Sequence, residues 1–415
     1  MDAPVRFPVE QALRTWRAIE GLFMPFIRIL LSDYRTTIVR LLVFVLLSTC
    51  CIASVGAATF CATTSAELQA ALDTAETNGE ADEVRVLTGT YTAPAGGFSY
   101  NAIGSSGPDQ SIEISGGWSG TIGGCGQVLE ENAALTVLSG DLSNRVMSVL
   151  LPSDADATVR LLSFVSGNTS GQFAGGGLNV QGTNPYNGVI TIERNIFLNN
   201  EAENGGGLNV FYTGSTAANT LIVNNLFAGN HARDNAGALD LEIEQAPSLS
   251  PARGSMLPAV SVTNNTIVDN SLPPIILPPP DLVGGMRIDG TVSNKWVVNN
   301  NIWANQATDL FIGNGSGLRL WNNNIQSRAG DAPTSEQNNI SAEPEYLDCG
   351  LLCVARTPAV SSPLMDAGAF PQTGHPWFLS DTDLRGLTRV RDEGIEIGAY
   401  ENNTLLFSDR FESAL

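Results

Sequence analysis

Residues 195–210 read Asn195-Ile-Phe-Leu-Asn-Asn-Glu-Ala-Glu-Asn-Gly-Gly-Gly-Leu-Asn-Val210, and both halves of this stretch recur along the chain. The first half returns as Asn225-Leu-Phe-Ala-Gly-Asn230, Asn265-Thr-Ile-Val-Asp-Asn270 and, more loosely, Asn301-Ile-Trp-Ala-Asn-Gln306. The second half returns as Gly175-Gly-Gly-Leu-Asn-Val180, Gly237-Ala-Leu-Asp-Leu241 and Gly284-Gly-Met-Arg-Ile288. A period of about 30 to 40 residues is typical of proteins built from stacked supersecondary units.

Each unit offers two short apolar strands joined by Asn and Gly corners. Segments such as Val189-Ile-Thr-Ile192 and Val260-Ser-Val262 are too short to be stable as isolated hairpins. Stacking the units about 4.8 Å apart gives every strand two neighbours and encloses a continuous interior. The sequence therefore predicts an all-β fold, a right-handed parallel β-helix with a short N-terminal cap helix.

Asparagine suits the corners because it tolerates left-handed backbone angles and hydrogen-bonds to nearby main chain. We expect one Asn per unit to stack in a ladder formed by Asn195, Asn225, Asn265, Asn301 and Asn323. Two residues after the first four of these lie Phe197, Phe227, Ile267 and Trp303. If Asn and Gly merely marked surface loops, this fixed register would have no explanation.

The charge balance limits the classes of partner. Asp and Glu number 42 against 21 Lys and Arg, which gives a formal net charge of -21. Such a chain repels phosphate backbones and anionic lipid surfaces, so we expect no nucleic-acid partner. Hydrophobic residues make up 43% of the chain and fall in short alternating runs, which indicates a folded protein rather than a disordered one.

The N-terminal region has the order of a secretory signal. Arg35 and Arg40 precede the apolar run 41–47, and small residues up to Ala58 follow it. We predict that residues 1–58 are a targeting segment cleaved close to its end, and that the protein is secreted or lies on the outer cell surface. A permanent anchor is the alternative, but the run is short for a span of about 20 residues. No permanent membrane span is therefore expected after cleavage.

Removal of this segment takes two cysteines with it and leaves an even four: Cys61, Cys125, Cys349 and Cys353. An even count in an exported chain favours disulfides. Of the three possible pairings we favour Cys61 with Cys125 and Cys349 with Cys353, because each pair is local in sequence. A zinc site at Cys349 and Cys353 is the weaker alternative, since the sequence has only two His residues with which to complete it.

The remaining chain divides into four segments. Residues 59–150 are expected to form the N-terminal cap and the first rungs, with a helix over Ala66–Asp73 and Ser65 as its N-cap. The other segments are the β-helix repeats at 151–345, a C-terminal capping or anchor-type module at 346–402 and a tail at 403–415.

The repeats resemble those of the chlamydial polymorphic outer-membrane proteins and of the wider right-handed β-helix repeat families. This resemblance rests on the Gly-Gly-[Ala/Gly]-[Leu/Ile] and Phe-x-x-Asn pairs and covers roughly residues 150–330. Three later motifs are similar to the choice-of-anchor module that closes many bacterial surface β-helix proteins: Ser362-Pro-Leu-Met-Asp-Ala-Gly368, Asp383-x-x-Gly386-x-x-Arg389 and Ile395-Glu-Ile-Gly-Ala-Tyr-Glu401. Glu396 stands where that module usually has Asp. The stretch Leu406-Phe-Ser-Asp-Arg-Phe-Glu412 resembles a short tail found on some secreted proteins. The resemblance implies a β-helix at the cell surface.

Alternation along the Gly-rich strands predicts a polar outer face. The outward residues form a first column of Asn179, Asn209, Asp240 and Arg287 and a second column of Gln181, Phe211, Glu242 and Asp289. We expect both columns to be exposed, with Asp240, Glu242, Arg287 and Asp289 as candidate ligand-binding residues. Neighbouring carboxylates repel one another, and two solutions remain open: a Ca2+ ion bound by Asp240 and Glu242, or neutralisation by Arg287. An ordinary solvated acidic face is the third interpretation.

The sequence lacks motifs of common hydrolases, since it has no Gly-x-Ser-x-Gly and no His-Glu-x-x-His. The leading interpretation is a secreted or cell-surface β-helix protein, a non-catalytic adhesin or glycan-binding scaffold whose partner is a polysaccharide or a host-cell glycan. The alternative is a polysaccharide lyase or glycoside hydrolase that uses the acidic face. The two differ in whether a bound sugar polymer is cleaved.

Overall fold

The computed structural model describes residues 57–105, 109–121, 124–128, 131–169, 174–215, 217–246, 260–272, 282–347, 356–372, 377–390 and 394–402. Ala57–Leu415 form one compact unit. The predicted targeting segment up to residue 56, the tail 403–415 and the predicted pair of Cys349 with Cys353 lie outside the described residues. Among the residues described, no helix is both long enough and apolar enough to cross a membrane.

The chain is an all-β parallel β-helix with a short helix at its N-terminal end, as the sequence predicts. Each turn of the coil contributes one strand to each of three parallel sheets, so the predicted two strands per unit are one too few.

Sheet A contains β1 (Thr59–Ala62), β2 (Asp82–Leu87), β5 (Ile112–Thr121), β9 (Ala157–Arg160), β12 (Val189–Glu193), β16 (Asn219–Val223), β20 (Val260–Thr263), β23 (Lys295–Val298), β26 (Leu318–Trp321) and β29 (Ser335–Gln337), and β6 (Gly124–Val128) pairs antiparallel with β5. Sheet B contains β3 (Gly89–Thr92), β7 (Thr136–Ser139), β10 (Ser163–Val165), β13 (Ile196–Leu198), β17 (Leu226–Ala228), β21 (Thr266–Val268), β24 (Asn301–Trp303) and β27 (Asn324–Ile325). Sheet C contains β4 (Phe98–Asn101), β8 (Met147–Leu151), β11 (Leu178–Gly182), β15 (Leu208–Gly214), β19 (Leu239–Gln245), β22 (Met286–Asp289), β25 (Leu310–Ile312) and β28 (Arg328–Gly330). Between sheets B and C, β14 (Glu201–Asn204) pairs with β18 (His231–Asn235).

Buried aromatic rings continue from rung to rung inside the coil. The rings of Phe164, Phe197 and Phe227 stack nearly parallel, with successive centroids 5.0 and 4.6 Å apart. Ile267 continues this row, as the repeat register predicts. In the following rung the row is continued by the buried Ile302, not by Trp303, because Ile302 is the residue that pairs with Ile267.

Two buried asparagine ladders run along interior corners. The first comprises Asn195, Asn225, Asn265, Asn300, Asn323 and Asn339. At every step one Asn Oδ1 accepts both the backbone N–H and the Nδ2 of the preceding Asn, at 2.9 to 3.2 Å. The second comprises Asn200, Asn230, Asn270 and Asn305 and ends on the carboxylate of Asp309.

The prediction that Asn301 belongs to the first ladder is wrong by one residue. The fourth repeat aligns as Asn300-Asn-Ile-Trp-Ala-Asn305, so that Asn300 enters the first ladder and Asn305 the second. Asn301 instead contacts Asn324 and the Tyr346 hydroxyl. Two adjacent Asn residues hid this shift, because either could begin the motif.

The paired glycines before the sheet C strands lie where successive backbones are closest. A Cβ added at Gly206 would lie 2.3 Å from the carbonyl oxygen of His231, and one at Gly176 would lie 2.4 Å from that of Glu201. No real Cβ tolerates such distances, so larger residues would force the rungs apart.

Helix α1 (Ser65–Asn78) covers the N-terminal end of the coil. Its N-cap is Thr64 rather than the predicted Ser65, because the Thr64 hydroxyl accepts the Glu67 N–H at 3.2 Å. Leu68 and Leu72 are buried beneath the helix. On its flank, Gln69 pairs with both the N–H and the C=O of Ser99 in β4, at 3.0 and 2.9 Å.

A disulfide joins Cys61 in β1 to Cys125 in β6, with Cα atoms 5.5 Å apart and a sequence separation of 64. This confirms the first of the two predicted pairs. The bond ties the edge strand of sheet A to the hairpin formed by β5 and β6.

The described residues of 356–402 lie along the side of the coil, at the corner between sheets A and B. The corner residues that directly precede the first five Asn of the first ladder have left-handed backbones, with φ between 50° and 59°: Arg194, Asn224, Asn264, Asn299 and Asn322. We call these five the seam residues. Their Asn side chains donate to backbone carbonyls of the C-terminal segment: Asn224 to Thr382, Asn264 to Glu396, Asn299 to Ala369 and Asn322 to Ala367.

Apolar contacts add to the hydrogen bonds of this seam. Leu384 and Tyr400 pack against Leu226 and its neighbours on the outside of sheet B. Trp377 packs on Trp296 and Trp321, with ring centroids 5.5 and 5.9 Å away.

The buried Arg389 donates to Glu401 Oε1 at 2.6 Å and contacts Asn224 Oδ1. The motif Asp383-x-x-Gly386-x-x-Arg389 is therefore a structural element that fastens the C-terminal segment to the coil.

Candidate functional site

The strand register places the predicted outward columns side by side on sheet C. The first column runs Ser148, Asn179, Asn209, Asp240, Arg287 and Phe311. The second runs Leu150, Gln181, Phe211, Glu242 and Asp289. Both alignments agree with the predicted register, because the Gly-rich repeats fix where each strand of the sheet starts.

The expectation that the first column is exposed is wrong. Asn179, Asn209 and Asp240 are only 4, 6 and 4% exposed. The turns before β11 and β15 lie against this column: a Cβ added at Gly175 would lie 2.8 Å from the Asn179 Cβ, and one at Gly205 would lie 3.1 Å from the Asn209 Cβ. The second column is more open, and the ring of Phe211 is 42% exposed.

Arg287 lies at the centre of the four candidate residues. Its Nη1 donates to Asp240 Oδ1 at 3.0 Å and to Glu242 Oε2 at 3.2 Å, and its Nη2 donates to Asp289 Oδ2 at 2.6 Å. One planar guanidinium thus connects three carboxylates on two rungs. The structure brings together all four residues that the sequence singles out.

Burial sets the protonation of Asp240. Loss of water around its carboxyl raises the pKa to about 6, and the attraction of Arg287 only partly offsets this effect. The pKa of Arg287 is raised because the gain from Asp240 and its neighbours exceeds the cost of its own burial. The cluster therefore holds the permanent positive charge of Arg287 beside the carboxyl of Asp240, whose pKa lies close to neutral pH.

The side of the cluster nearest sheet A is fixed by groups that the sequence did not single out. Asp289 Oδ1 accepts the N–H of Gly290 at 2.7 Å, and the Thr291 hydroxyl donates to Glu244 at 2.5 Å. Behind this turn, the buried Lys295 donates to the carbonyls of Gly290 and Asn314. Burial lowers the pKa of Lys295. A single Lys in the otherwise apolar strand β23 was the sequence signal that could have pointed to the buried bonds of Lys295.

The geometry favours neutralisation by Arg287 over a calcium site. The guanidinium occupies the position between the carboxylates that an ion would need, and it satisfies an oxygen of each. Over the described part of the chain, no three His, Cys, Asp or Glu side chains are grouped closely enough to hold a metal ion. A Ca2+ ion at Asp240 and Glu242 stays a prediction that would require Arg287 to move.

The outward seam Asn residues were also missed. The sequence does carry a signal, since Asn occurs doubled at 224–225, 264–265, 299–300 and 322–323. In each pair the second Asn enters the interior ladder and the first binds the C-terminal segment. At these four positions the two neighbouring Asn residues therefore have opposite uses.

Comparison with known proteins gives no relative: no family model, no curated protein and no solved structure matches the chain. The resemblance to polymorphic outer-membrane repeats and to the choice-of-anchor module therefore stays a prediction. The fold and the face on sheet C are the basis for any functional argument.

Proposed function

We propose that this chain is a secreted or cell-surface β-helix protein that binds a glycan on the second column of sheet C without cleaving it. The observation that carries the proposal is the exposed ring of Phe211, which is aligned between Gln181 and Glu242 on neighbouring rungs. A sugar ring has an apolar face that packs on an aromatic side chain and hydroxyls that bond to amides and carboxylates. The regular sheet repeats such positions at about 4.8 Å intervals.

Charge limits the class of glycan. Three carboxylates surround the single guanidinium of Arg287, and the whole chain carries a net charge of -21. Uronate-rich or sulfated polymers would be repelled at such a face. A neutral polysaccharide or host-cell glycan is the partner that fits, and an adhesin role on an outer surface is the corresponding biology.

Export is part of the proposal. The disulfide between Cys61 and Cys125 is of the kind that persists in oxidising compartments. Together with the basic, apolar and small-residue order of 1–58, it supports a secreted or outer-surface location.

The enzymatic alternative is a polysaccharide lyase or glycoside hydrolase. Hydrolysis needs two carboxyl groups that can reach the scissile bond from a substrate cleft. Asp240 is only 4% exposed, and it and Glu242 both bond to Arg287. This arrangement favours binding over catalysis.

The test combines a glycan array with reducing-sugar and unsaturated-product assays on the exported protein. We expect binding without product release, and at least a tenfold loss of affinity in Phe211→Ala, which corresponds to about 1.4 kcal/mol. Phe370→Ala is the matched control, because Phe370 is 40% exposed but belongs to the C-terminal segment. Turnover that is abolished by Asp240→Asn would establish the enzyme instead.

A further inference from the structure

A buried carboxylate at the start of β2 lacks a partner for one of its oxygens. Asp82 is only 4% exposed, and within the described part of the chain its Oδ2 forms no hydrogen bond. Its Oδ1 accepts from Asn78 Nδ2 at 3.1 Å and from the backbone nitrogen of Ala58 at 3.2 Å. A buried charged oxygen without a partner is costly, so this position calls for a cation or a further donor.

The described surroundings of Asp82 are acidic. Loss of water raises the pKa of Asp82, and the repulsion of Glu80 and Asp109 raises it further. Arg85, three residues along β2, is paired with Glu83 instead. Across the described residues, no Lys or Arg forms an ion pair with Asp82.

Ala58 is held in a defined position beside this carboxylate. Its carbonyl accepts the N–H of Glu83 at 2.8 Å, which fixes it directly before the first strand of sheet A. Ala57, one residue earlier, is exposed, whereas Ala58 is half-buried. The peptide bond between Ala57 and Ala58 therefore lies where the compact unit begins, and small residues on both sides of it suit a leader-removing protease.

We propose that the exported protein is cleaved between Ala57 and Ala58 and that the new α-ammonium group of Ala58 forms a buried ion pair with Asp82. Water, directed by a signal-peptidase-class enzyme of the secreting cell, hydrolyses the amide. The carbonyl carbon of Ala57 gains the oxygen and leaves as a carboxylate. The nitrogen of Ala58 keeps the protein chain and takes up protons to become a cation.

This cleavage changes the donor at Ala58 from one proton to three. The amide of an uncleaved chain satisfies Oδ1 alone. An ammonium group at the same place can also donate toward Oδ2, and it compensates the charge of Asp82, with which no described Lys or Arg forms an ion pair. An α-amino group is protonated at neutral pH, since its ordinary pKa is about 7.7 to 8.0. Processing would thereby complete the fold rather than merely remove a leader.

The first measurement is the intact mass and N-terminal sequence of protein recovered outside the cytoplasm. We expect a chain of residues 58–415 that begins with Ala58. The inference rests on export, which is part of the proposed function, but not on any glycan. An uncleaved cytoplasmic chain would overturn both, whereas an exported chain that begins at Thr59 or elsewhere would overturn this inference alone.

The second measurement tests the ion pair. Protein that begins at Ala58 with a free amine is compared with protein that begins at Gly56, in which Ala58 retains an amide. We expect the shorter chain to melt about 2 °C higher, and Asp82→Asn to abolish the difference. Asp73→Asn, on the exposed face of α1, is the matched control and should preserve it. Equal melting temperatures for the two wild-type chains, or an unchanged difference in Asp82→Asn, would overturn the ion pair.

Discussion

A single asparagine in the ladders satisfies several buried backbone groups at once. Asn225 Oδ1 accepts the N–H and the Nδ2 of Asn195, while its own Nδ2 donates to Ile192 O and to Asn265 Oδ1. No other uncharged side chain of this size presents an acceptor and two donors in one plane. The corner needs this combination because its backbone turns away from the sheet hydrogen bonds.

Asn225→Ala should therefore destabilise the fold by about 2 to 5 kcal/mol, since it leaves the Asn195 N–H buried without its acceptor and removes the side-chain bonds to the Ile192 carbonyl and to Asn265 Oδ1. Denaturant unfolding followed by circular dichroism measures the loss. Asn219→Ala is the control, because the Asn219 side chain bonds only locally to Ala217 O, and it should cost less than about 1 kcal/mol. Similar midpoints for the two variants would mean that the ladder does not carry stability.

The pH dependence of stability should report on Asp240. Its folded pKa of about 6 lies above the unfolded value of about 3.9, so the folded state holds the proton more tightly. This contribution is fully present below about pH 4 and is lost as the pH rises through 6, with a total of about 3 kcal/mol. Asp240→Asn should remove it. Unfolding free energies of the wild type and the variant, measured from pH 4 to pH 8, should diverge; parallel profiles would contradict the raised pKa.

Calcium distinguishes the two solutions for the acidic cluster. With Arg287 bonded to all three carboxylates, millimolar calcium should leave the melting temperature of chelator-treated protein unchanged. A bound ion would raise it by mass action, and the Asp240→Asn, Glu242→Gln double variant would lose that rise. A rise in melting temperature that the double variant loses would support the calcium site instead.

At the scale of elements, α1 protects an open sheet edge. The first strand of sheet C, β4, has β8 on one side only. On its free side, Gln69 pairs with Ser99 and Glu76 accepts the N–H of Asn101 at 2.9 Å. Helix side chains thus take the place of a further strand, which prevents association through the edge.

A Gln69→Ala, Glu76→Ala double variant should lose about 1 to 3 kcal/mol of stability and form dimers or larger species. Size-exclusion chromatography with light scattering detects the association. Thr77→Ala changes an exposed residue of the same helix whose hydroxyl bonds only to helix carbonyls, and it should remain monomeric. A monomeric double variant would show that the edge needs no such cover.

Elements that the repeat determines could be predicted, and those that depend on distant contacts could not. Strand positions and the column register follow from alternation and from Gly spacing, which are local. The burial of Asn179 depends on how the turn at Gly175 folds against it, and no pattern in the strand itself reports this. The choice between Asn300 and Asn301 depends on which of two identical side chains faces inward, so only the rung-to-rung geometry decides it.

At the scale of the whole molecule, the seam connects rungs that are not neighbours. The described residues of 364–402 contact corners from Asn322 back to Asn224. The C-terminal segment therefore returns along the coil toward earlier rungs. The bond between Arg389 and Asn224 spans 165 residues of sequence. A repeat protein normally depends on nearest-neighbour contacts alone, so this segment adds cooperativity that the repeats lack.

Arg389→Met should cost about 3 to 5 kcal/mol, because it leaves Glu401 as a buried charge without its partner. Arg328→Met breaks an ion pair with Glu336 at the surface and should cost at most about 1 kcal/mol. Thermal unfolding is followed by far-ultraviolet circular dichroism, which reports loss of the coil, and by tryptophan fluorescence, which reports release of Trp377. Equal destabilisation by the two variants would argue against a role for the seam.

The seam also orders events in time. Rungs that need only their neighbours can form one after another from Thr59 onward, as the chain leaves the ribosome or a translocation pore. The partners of Asn224 and Asn299, in contrast, are delivered last, near the end of the polypeptide. A chain in transit would therefore hold a coil that can still unwind from its free end. Once residue 402 emerges, the late segment bonds to the corners of Asn224 and Asn299, and the coil can no longer unwind without first breaking these contacts.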